Sequence, residues 1–297
     1  MKKMIFIFAI AGFLLGSPIE IGIGARAQAM GGAFVGVADD ATAVYWNPAG
    51  LGTIQNTEIY FMHWIMPQIK ELVIDYASVV YPLLLMNESN FGVGFGWKRV
   101  GAKLEEFSNG DLTQNPNLST ISENTFSLAA GAEVKKFSLG FVLNRFLIDS
   151  RIGSLSGWGF DFGFKAHLFS VLKIGFLMRN IAAGYGDEKI VPNYRFGFSL
   201  NFFPIKVENK VRDRVILAFD VSTKKNVNGL EGTTLHTFAG LEIQWIRQFA
   251  IRVGWNDNYP FSAGAGFYFK GILLDYAYSS GNKYLKDSHR LGFGLRF

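Results

Sequence analysis

From about Glu58 onward, apolar and aromatic side chains alternate with Gly, polar or charged ones in short segments punctuated by turn residues. Period two is the signature of strands whose two faces differ chemically. Phe91, Val93, Phe95 and Trp97 fall on one face, with Gly92, Gly94, Gly96 and Lys98 on the other. Trp158, Phe160, Phe162 and Phe164 repeat the pattern against Gly157, Gly159, Asp161, Gly163 and Lys165. Tyr194 to Phe202 oppose Arg195, Gly197, Ser199 and Asn201, and Phe249, Ile251, Val253 and Trp255 oppose Ala250, Arg252, Gly254 and Asn256. The alternation predicts strands over 58–65, 72–82, 90–100, 125–135, 137–148, 157–168, 171–180, 193–203, 213–223, 233–245, 248–256, 261–270, 272–280 and 289–297, fourteen in all.

An even number of strands near ten residues fits an all-β, antiparallel transmembrane barrel with lipid outside and polar groups inside. A soluble sandwich shows the same alternation with the large side chains turned inward, so periodicity alone does not choose. Connection lengths bear on the choice, because such barrels have short turns at one end and longer loops at the other. Connections after even-numbered strands are short around Lys136, Phe169-Ser170, Ile246-Arg247 and Gly271. Those after odd-numbered strands are long, at 101–124, 149–156, 181–192, 224–232 and 281–288, whereas 83–89 and 204–212 run against the rule. At the end of the chain Leu291, Phe293, Leu295 and Phe297 share a face, a pattern resembling the insertion signal that the outer-membrane barrel assembly machinery reads.

The start of the chain has a different character. Lys2 and Lys3 precede the apolar stretch Met4 to Leu15 and then Gly16, Ser17 and Pro18, the order of a secretory signal peptide, expected over 1–17. Export toward a bacterial outer membrane, with outer-membrane lipid as the surrounding partner, follows from reading this leader together with the strands. With no Cys there is no disulfide framework, thiolate metal site or acylated lipoprotein anchor. The 29 Phe and 34 Gly suit strands and turns. A net charge of +5 is small for 297 residues and no basic block interleaves with aromatics, so nucleic acid is not an expected partner.

Three regions are therefore expected: the leader at 1–17, an N-terminal plug at 18–57 and a barrel at 58–297. The plug is rich in small residues, and Asp39 or Asp40 is placed to cap a short helix running from Ala41 toward Trp46, with Asn47 forced out of the helical region by Pro48. In a barrel of this strand number the lumen is too wide for wall side chains alone to fill. Lys98, Asp161, Lys165, Arg179, Arg195, Arg214, Asp220, Arg252 and Asp275 are expected to line it, with Asp39, Asp40 and Asn47 bonding wall Arg or Lys.

Ala25-Arg26-Ala27, Met30-Gly31-Gly32-Ala33, Ala38-Asp39-Asp40 and Trp46-Asn47-Pro48-Ala49-Gly50-Leu51 resemble the N-terminal motif of the PorV/PorQ family, a branch of the FadL-like fourteen-stranded barrels. The resemblance implies a luminal hatch built on Arg26, Met30, Gly31, Gly32, Asp39, Asp40, Trp46, Asn47, Pro48, Ala49 and Gly50. It implies either passive transport or binding of small hydrophobic molecules gated by that hatch, or a protein-interaction role, with secretion-system proteins of type IX or as an envelope scaffold. No cofactor is expected and no enzyme. His63, His167, His236 and His289 have no carboxylate or serine at catalytic-motif spacing, and the Gly-x-Gly-x-Gly runs lie on strands with no following helix turn.

Overall fold

A computed structural model of the protein describes residues 22–67, 71–85, 89–106, 117–150, 153–186, 188–207, 210–225, 232–246, 248–281 and 287–297. The expected signal peptide lies outside the described residues.

The strands are β1 Glu58–Ile65, β2 Leu72–Leu85, β3 Ser89–Glu106, β4 Asn117–Val134, β5 Phe137–Ser150, β6 Gly153–His167 and β7 Leu172–Tyr185. They continue as the two-residue β8 Glu188–Lys189, β9 Asn193–Val207, β10 Lys210–Lys225, β11 Thr233–Gln244, β12 Phe249–Asn256, β13 Ser262–Phe269, β14 Ile272–Ser279 and β15 Ser288–Arg296. Neighbours in sequence pair antiparallel, and β1 pairs with β15 from Glu58↔Arg296 to Ile65↔His289, which closes the sheet. The result is a fourteen-stranded antiparallel barrel with β8 as an added fragment folded against the end of β7.

Closure decides which face is which. Phe141, Phe160, Phe196, Leu217, Ile251, Leu274 and Phe293 point outward and are exposed, whereas Arg252, Lys165, Asp220 and Arg290 point inward and are buried. An apolar exterior around a charged interior is the reverse of a water-soluble barrel and is the arrangement of barrels with hydrocarbon outside. No described helix is long and apolar enough to cross a membrane.

The two long connections that ran against the orientation rule disappear. β2 continues to Leu85 and β3 begins at Ser89; β9 continues to Val207 and β10 begins at Lys210. Pro82 marks a strand end in the sequence, yet the structure absorbs it in a register shift between Pro82 and Leu84, where a missing N–H does no harm. At the other end of the barrel β3 and β4 pair as far as Glu106↔Asn117, so most of the expected 101–124 loop is strand. Here the alternation persists in Thr, Ser, Asn and Lys, too polar to register as a buried or lipid-facing strand. The wall is consequently uneven: β3 and β4 have 18 residues each, and β12, β13, β14 and β1 only 8. The hairpin turn Lys270-Gly271 has positive φ at both residues, the backbone that matches strand twist.

Candidate functional site

Residues 22–57 run inside the barrel. The described segment forms a five-residue helix, α1 Ala25–Ala29, a short helix α2 Ala43–Trp46 and a 3₁₀ stretch Pro48–Thr53. Asp40 Oδ1 accepts from Thr42 N at 3.0 Å and Thr42 Oγ1 at 2.6 Å, so it fixes the turn before α2, which starts two residues later than expected. Asn47 is extended, φ −169°, as Pro48 demands. Met30, Phe34, Trp46 and Leu51 are buried in the main apolar cluster with Tyr60, Met62 and Tyr76 of the wall.

Two kinds of contact hold the segment. The first is backbone laid on glycine. Gly92, Gly131, Gly140 and Gly163 are register partners on β3, β4, β5 and β6, forming a continuous inward row. A Cβ on Gly92 would meet Leu51 O, on Gly131 Pro48 O, on Gly140 the Pro48–Ala49 peptide, and on Gly163 the Asn47 side chain and Pro48 ring. Gly175, Gly240 and Gly254 receive Val35, Met30 and Gly31 in the same way. The segment lies so close to the wall that only hydrogen fits between them.

The second is ionic. Arg26 donates to both Glu242 oxygens at 2.8 Å and to Asp40 Oδ2 at 2.9 Å, and pairs with Asp39. Glu242 also accepts from Arg252 Nε at 2.5 Å, and Arg252 reaches Asp275 at 2.7 Å and the Tyr268 hydroxyl. Asp220 Oδ2 accepts from Phe34 N at 2.9 Å, Val35 N at 3.0 Å and Arg195 Nε at 2.9 Å. Lys165 donates to Val37 O and Ala38 O at 2.8 Å, Arg179 to Tyr45 O and Arg195 to Gly32 O. Glu58 bridges Ala41 N at 3.1 Å and Arg296 Nε at 3.0 Å.

The expected partners are therefore rearranged. Asp39 and Asp40 bond Arg26 of their own segment, and the wall's Lys165, Arg179 and Arg195 bond segment carbonyls. A segment with little regular structure has many unpaired carbonyls and N–H groups, and the wall's charged side chains satisfy them. Asn47 bonds backbone, donating to Val35 O at 3.0 Å and Phe164 O at 3.1 Å. Lys98 pairs with Glu123 at 3.2 Å, and Asp161 accepts from Asn144 at 2.9 Å and Asn180 N at 2.9 Å. The Arg214 side chain lies outside the description. Glu58, Glu123, Glu242, Arg290 and Arg296, all buried, were not among the expected luminal charges. Glu242 and Arg296 sit between apolar neighbours, as in Leu241-Glu242-Ile243, the same pattern as around Asp220, whereas Glu123 lies between Ser122 and Asn124 and carries no such signal.

The wall is irregular again between β6 and β7. Pairing of β6 with β7 runs Phe162↔Met178, Phe160↔Ile181, Trp158↔Gly184, so β7 gains a residue twice. Asn180 and Ala182 have φ of 59° and 49°, the left-handed conformation that bulges use and that L residues other than Asn adopt at a cost. Behind this double bulge is a small cavity of about 50 Å³ lined by Tyr45, Tyr76, Lys98, Thr125, Asn144, Phe146, Asp161, Arg179 and Asn180 among others. A wider concavity of about 820 Å³ lies instead on the apolar outer face across Phe61, Leu274, Leu291 and Phe293.

Leu291, Phe293 and Leu295 occupy the outward face of β15, followed by the exposed Phe297. Strand pairing sets His63 Nδ1 at 2.7 Å from Asp75 and His236 Nδ1 at 3.4 Å from Asp257, neighbours invisible to linear spacing. No group of three or more metal-ligating side chains occurs among the described residues.

No family profile and no curated protein matches the chain. Solved structures do. The CymD monoaromatic hydrocarbon channel is similar at 14% identity, over 93% of this chain and 98% of that one, with a TM-score of 0.66. The Pseudomonas putida toluene transporter TodX gives 13% identity over 94% and 98% with a TM-score of 0.62. A Pseudomonas aeruginosa FadL homologue gives 12% over 95% and 98% with 0.57. The fold is thus that of these FadL-like channels.

Proposed function

We propose that this protein resides in the outer membrane of a bacterium with two membranes and passes small hydrophobic molecules inward, with residues 22–54 as its hatch. The double bulge in β7 carries the reading. The segment packs against the inner wall on glycines, whereas the bulge shifts the β6–β7 register twice beside a cavity, on either side of the apolar pair Phe160↔Ile181. An apolar solute reaching that cavity would leave sideways into hydrocarbon without crossing water. The names of the structural neighbours, hydrocarbon channels and a toluene transporter, favour the same substrate class.

The test is uptake of a radiolabelled monoaromatic hydrocarbon by cells with an intact outer membrane expressing the protein. Uptake above the vector control, abolished by deleting Asn180 and Ala182 to straighten β7, is expected. Uptake equal to the vector control would remove the transport reading. A second reading, a PorV/PorQ-like component of type IX secretion, is favoured by the Arg26 to Leu51 motif. Cross-linking in native membranes that yields a stoichiometric protein partner, with no hydrocarbon uptake, would select it. In either case the apolar row Leu291 to Phe297 serves insertion by the barrel assembly machinery.

A further inference from the structure

The sheet closes on itself, yet its strands differ in length, and where one strand outruns its neighbour a backbone edge is left over. Pairing of β4 with β5 ends at Ser122↔Asp149, whereas pairing of β4 with β3 continues to Glu106↔Asn117. Residues 117–121 of β4 therefore have a hydrogen-bonding side that meets nothing among the described residues. They lie at the end of the barrel with the longer connections, which in outer-membrane barrels faces outward.

An unpaired edge invites pairing with another chain, so proteins blunt it with proline, charge or a covering group. Other unequal strand ends of this barrel are blunted in that manner. Pro82 lies in the part of β2 that β1 leaves beyond Glu58↔Val80, and Pro204 in the part of β9 that β7 leaves beyond Leu172↔Leu200. Glu105 and Glu106 lie in the part of β3 beyond its last pair with β2, Leu72↔Ala102. On β11, past Phe238↔Asn256, Asp257 accepts from the backbone N–H of Thr237 at 3.0 Å and from its hydroxyl at 2.9 Å. The run Asn117-Leu118-Ser119-Thr120-Ile121 carries no charge, proline or glycine, and its Thr and Ile favour extended backbone.

Geometry narrows what pairs there. The neighbouring connection, residues 151–152 between β5 and β6, is too short to lie along the run. A second copy in the same membrane is excluded in either direction. Such copies stand the same way up, so a two-fold axis relating them lies along the membrane normal. Antiparallel pairing of two β4 edges would turn one barrel upside down. Parallel pairing about that axis sets each N–H against its own counterpart, where a ladder needs a carbonyl. We infer that residues 117–121 of β4 form a docking edge for an extended peptide segment of a protein at the cell surface, added as a strand and uncharged over the residues that pair. Main-chain bonds supply the affinity in such strand addition, and an uncharged edge offers no ion pair to a charged segment. The inference rests on the proposed place in the outer membrane and on neither transport nor secretion.

The experiment is fluorescence polarisation of the detergent-solubilised full chain with a fluorescein-labelled peptide of alternating Thr and Val, with hydrogen–deuterium exchange of residues 117–121 recorded alongside. One control is the same peptide N-methylated at every residue. The other is the Ser119→Lys, Thr120→Lys double variant, whose substitutions lie beyond the paired wall; heat-modifiable gel mobility verifies its fold. Saturable binding is expected, weakened by about tenfold or more in either control, with exchange at 117–121 slowed only by the unmethylated peptide. Binding that survives N-methylation or the two lysines, or no binding at any soluble concentration, would overturn the inference. Slow exchange at 117–121 without peptide, together with a dimer in analytical ultracentrifugation, assigns the edge to a second copy and removes it as well. Hydrocarbon uptake by cells without peptide binding sinks the edge and keeps the channel. Peptide binding with no uptake keeps the edge and sinks the channel.

Discussion

The segment is held on one side by the glycine row of β3–β6 and on the other by the charged groups of β9–β12, β14 and β1, and the two grips obey different physics. Along the row, Leu51, Pro48 and Asn47 rest on Gly92, Gly131, Gly140 and Gly163, and complementarity of shape leaves no alternative side chain. Around Arg26, five carboxylates and three guanidiniums share bonds. Their desolvation consumes much of what pairing returns. A seat of this kind specifies position. A clamp of this kind is strong only while every member is present.

Breaking the clamp should therefore have the largest single effect. Glu242→Ala leaves Arg26 and Arg252 without their shared carboxylate, and loss of one partner from a buried ionic network costs about 3–5 kcal/mol. We expect a lowered midpoint of urea unfolding in detergent and raised conductance in planar bilayers. Replacing the centre with apolar groups of similar size, Arg26→Met with Glu242→Leu and Arg252→Met, should restore most of the stability, because desolvation is no longer incurred. A triple variant as unstable as the single one would mean that the clamp contributes net attraction.

The seat should behave oppositely. Gly140→Val drives two methyl groups into the Pro48–Ala49 peptide, an overpacking cost of about 1–3 kcal/mol with no partner substitution able to relieve it. Proteolysis of residues 47–52 in the folded barrel, absent from wild type, is the readout. If Gly140→Val stays protected, the segment has more play than its contacts suggest. Smaller again is Lys165→Met, which strands Val37 O and Ala38 O at about 1.5–3 kcal/mol for charged donors, offset by removal of a buried ammonium. Urea unfolding should reveal a net loss near 1 kcal/mol.

The two grips differed equally in how far the sequence disclosed them. Strand identity and face were legible because Phe-Gly and Phe-Lys alternation has one period, and Lys165, Arg252 and Asp220 were placed inward on that basis alone. The glycine row was legible only as small inward residues; that Gly92, Gly131, Gly140 and Gly163 adjoin depends on register, which local sequence does not encode. The clamp was half legible. Its members were charged residues at inward positions, but Arg26 as the internal partner of Asp39 and Asp40 required a three-dimensional path for the segment. The double bulge was not legible, since Arg179-Asn180-Ile181-Ala182-Ala183 carries no glycine at either left-handed position.

That bulge lies on β7, between the seat that ends at Gly163 on β6 and the clamp that begins on β9, and its backbone supplies the smallest and most diagnostic prediction. Ala182 at φ 49° bears the clash between its Cβ and the backbone, roughly 1–2 kcal/mol for an L residue in this conformation. Glycine removes that clash but adds freedom to the unfolded chain, a loss of roughly 0.4–1 kcal/mol. The difference favours Ala182→Gly by about 0.5–1 kcal/mol, seen as a raised urea midpoint. Val at the same position, β-branched and intolerant of positive φ, should lower it by more than glycine raises it. If Ala182→Gly is neutral or destabilising, the left-handed turn is not strained, and the break in the wall follows from the extra residues alone. If it stabilises while slowing hydrocarbon uptake, the strain serves opening, and the bulge is the movable part between two fixed grips.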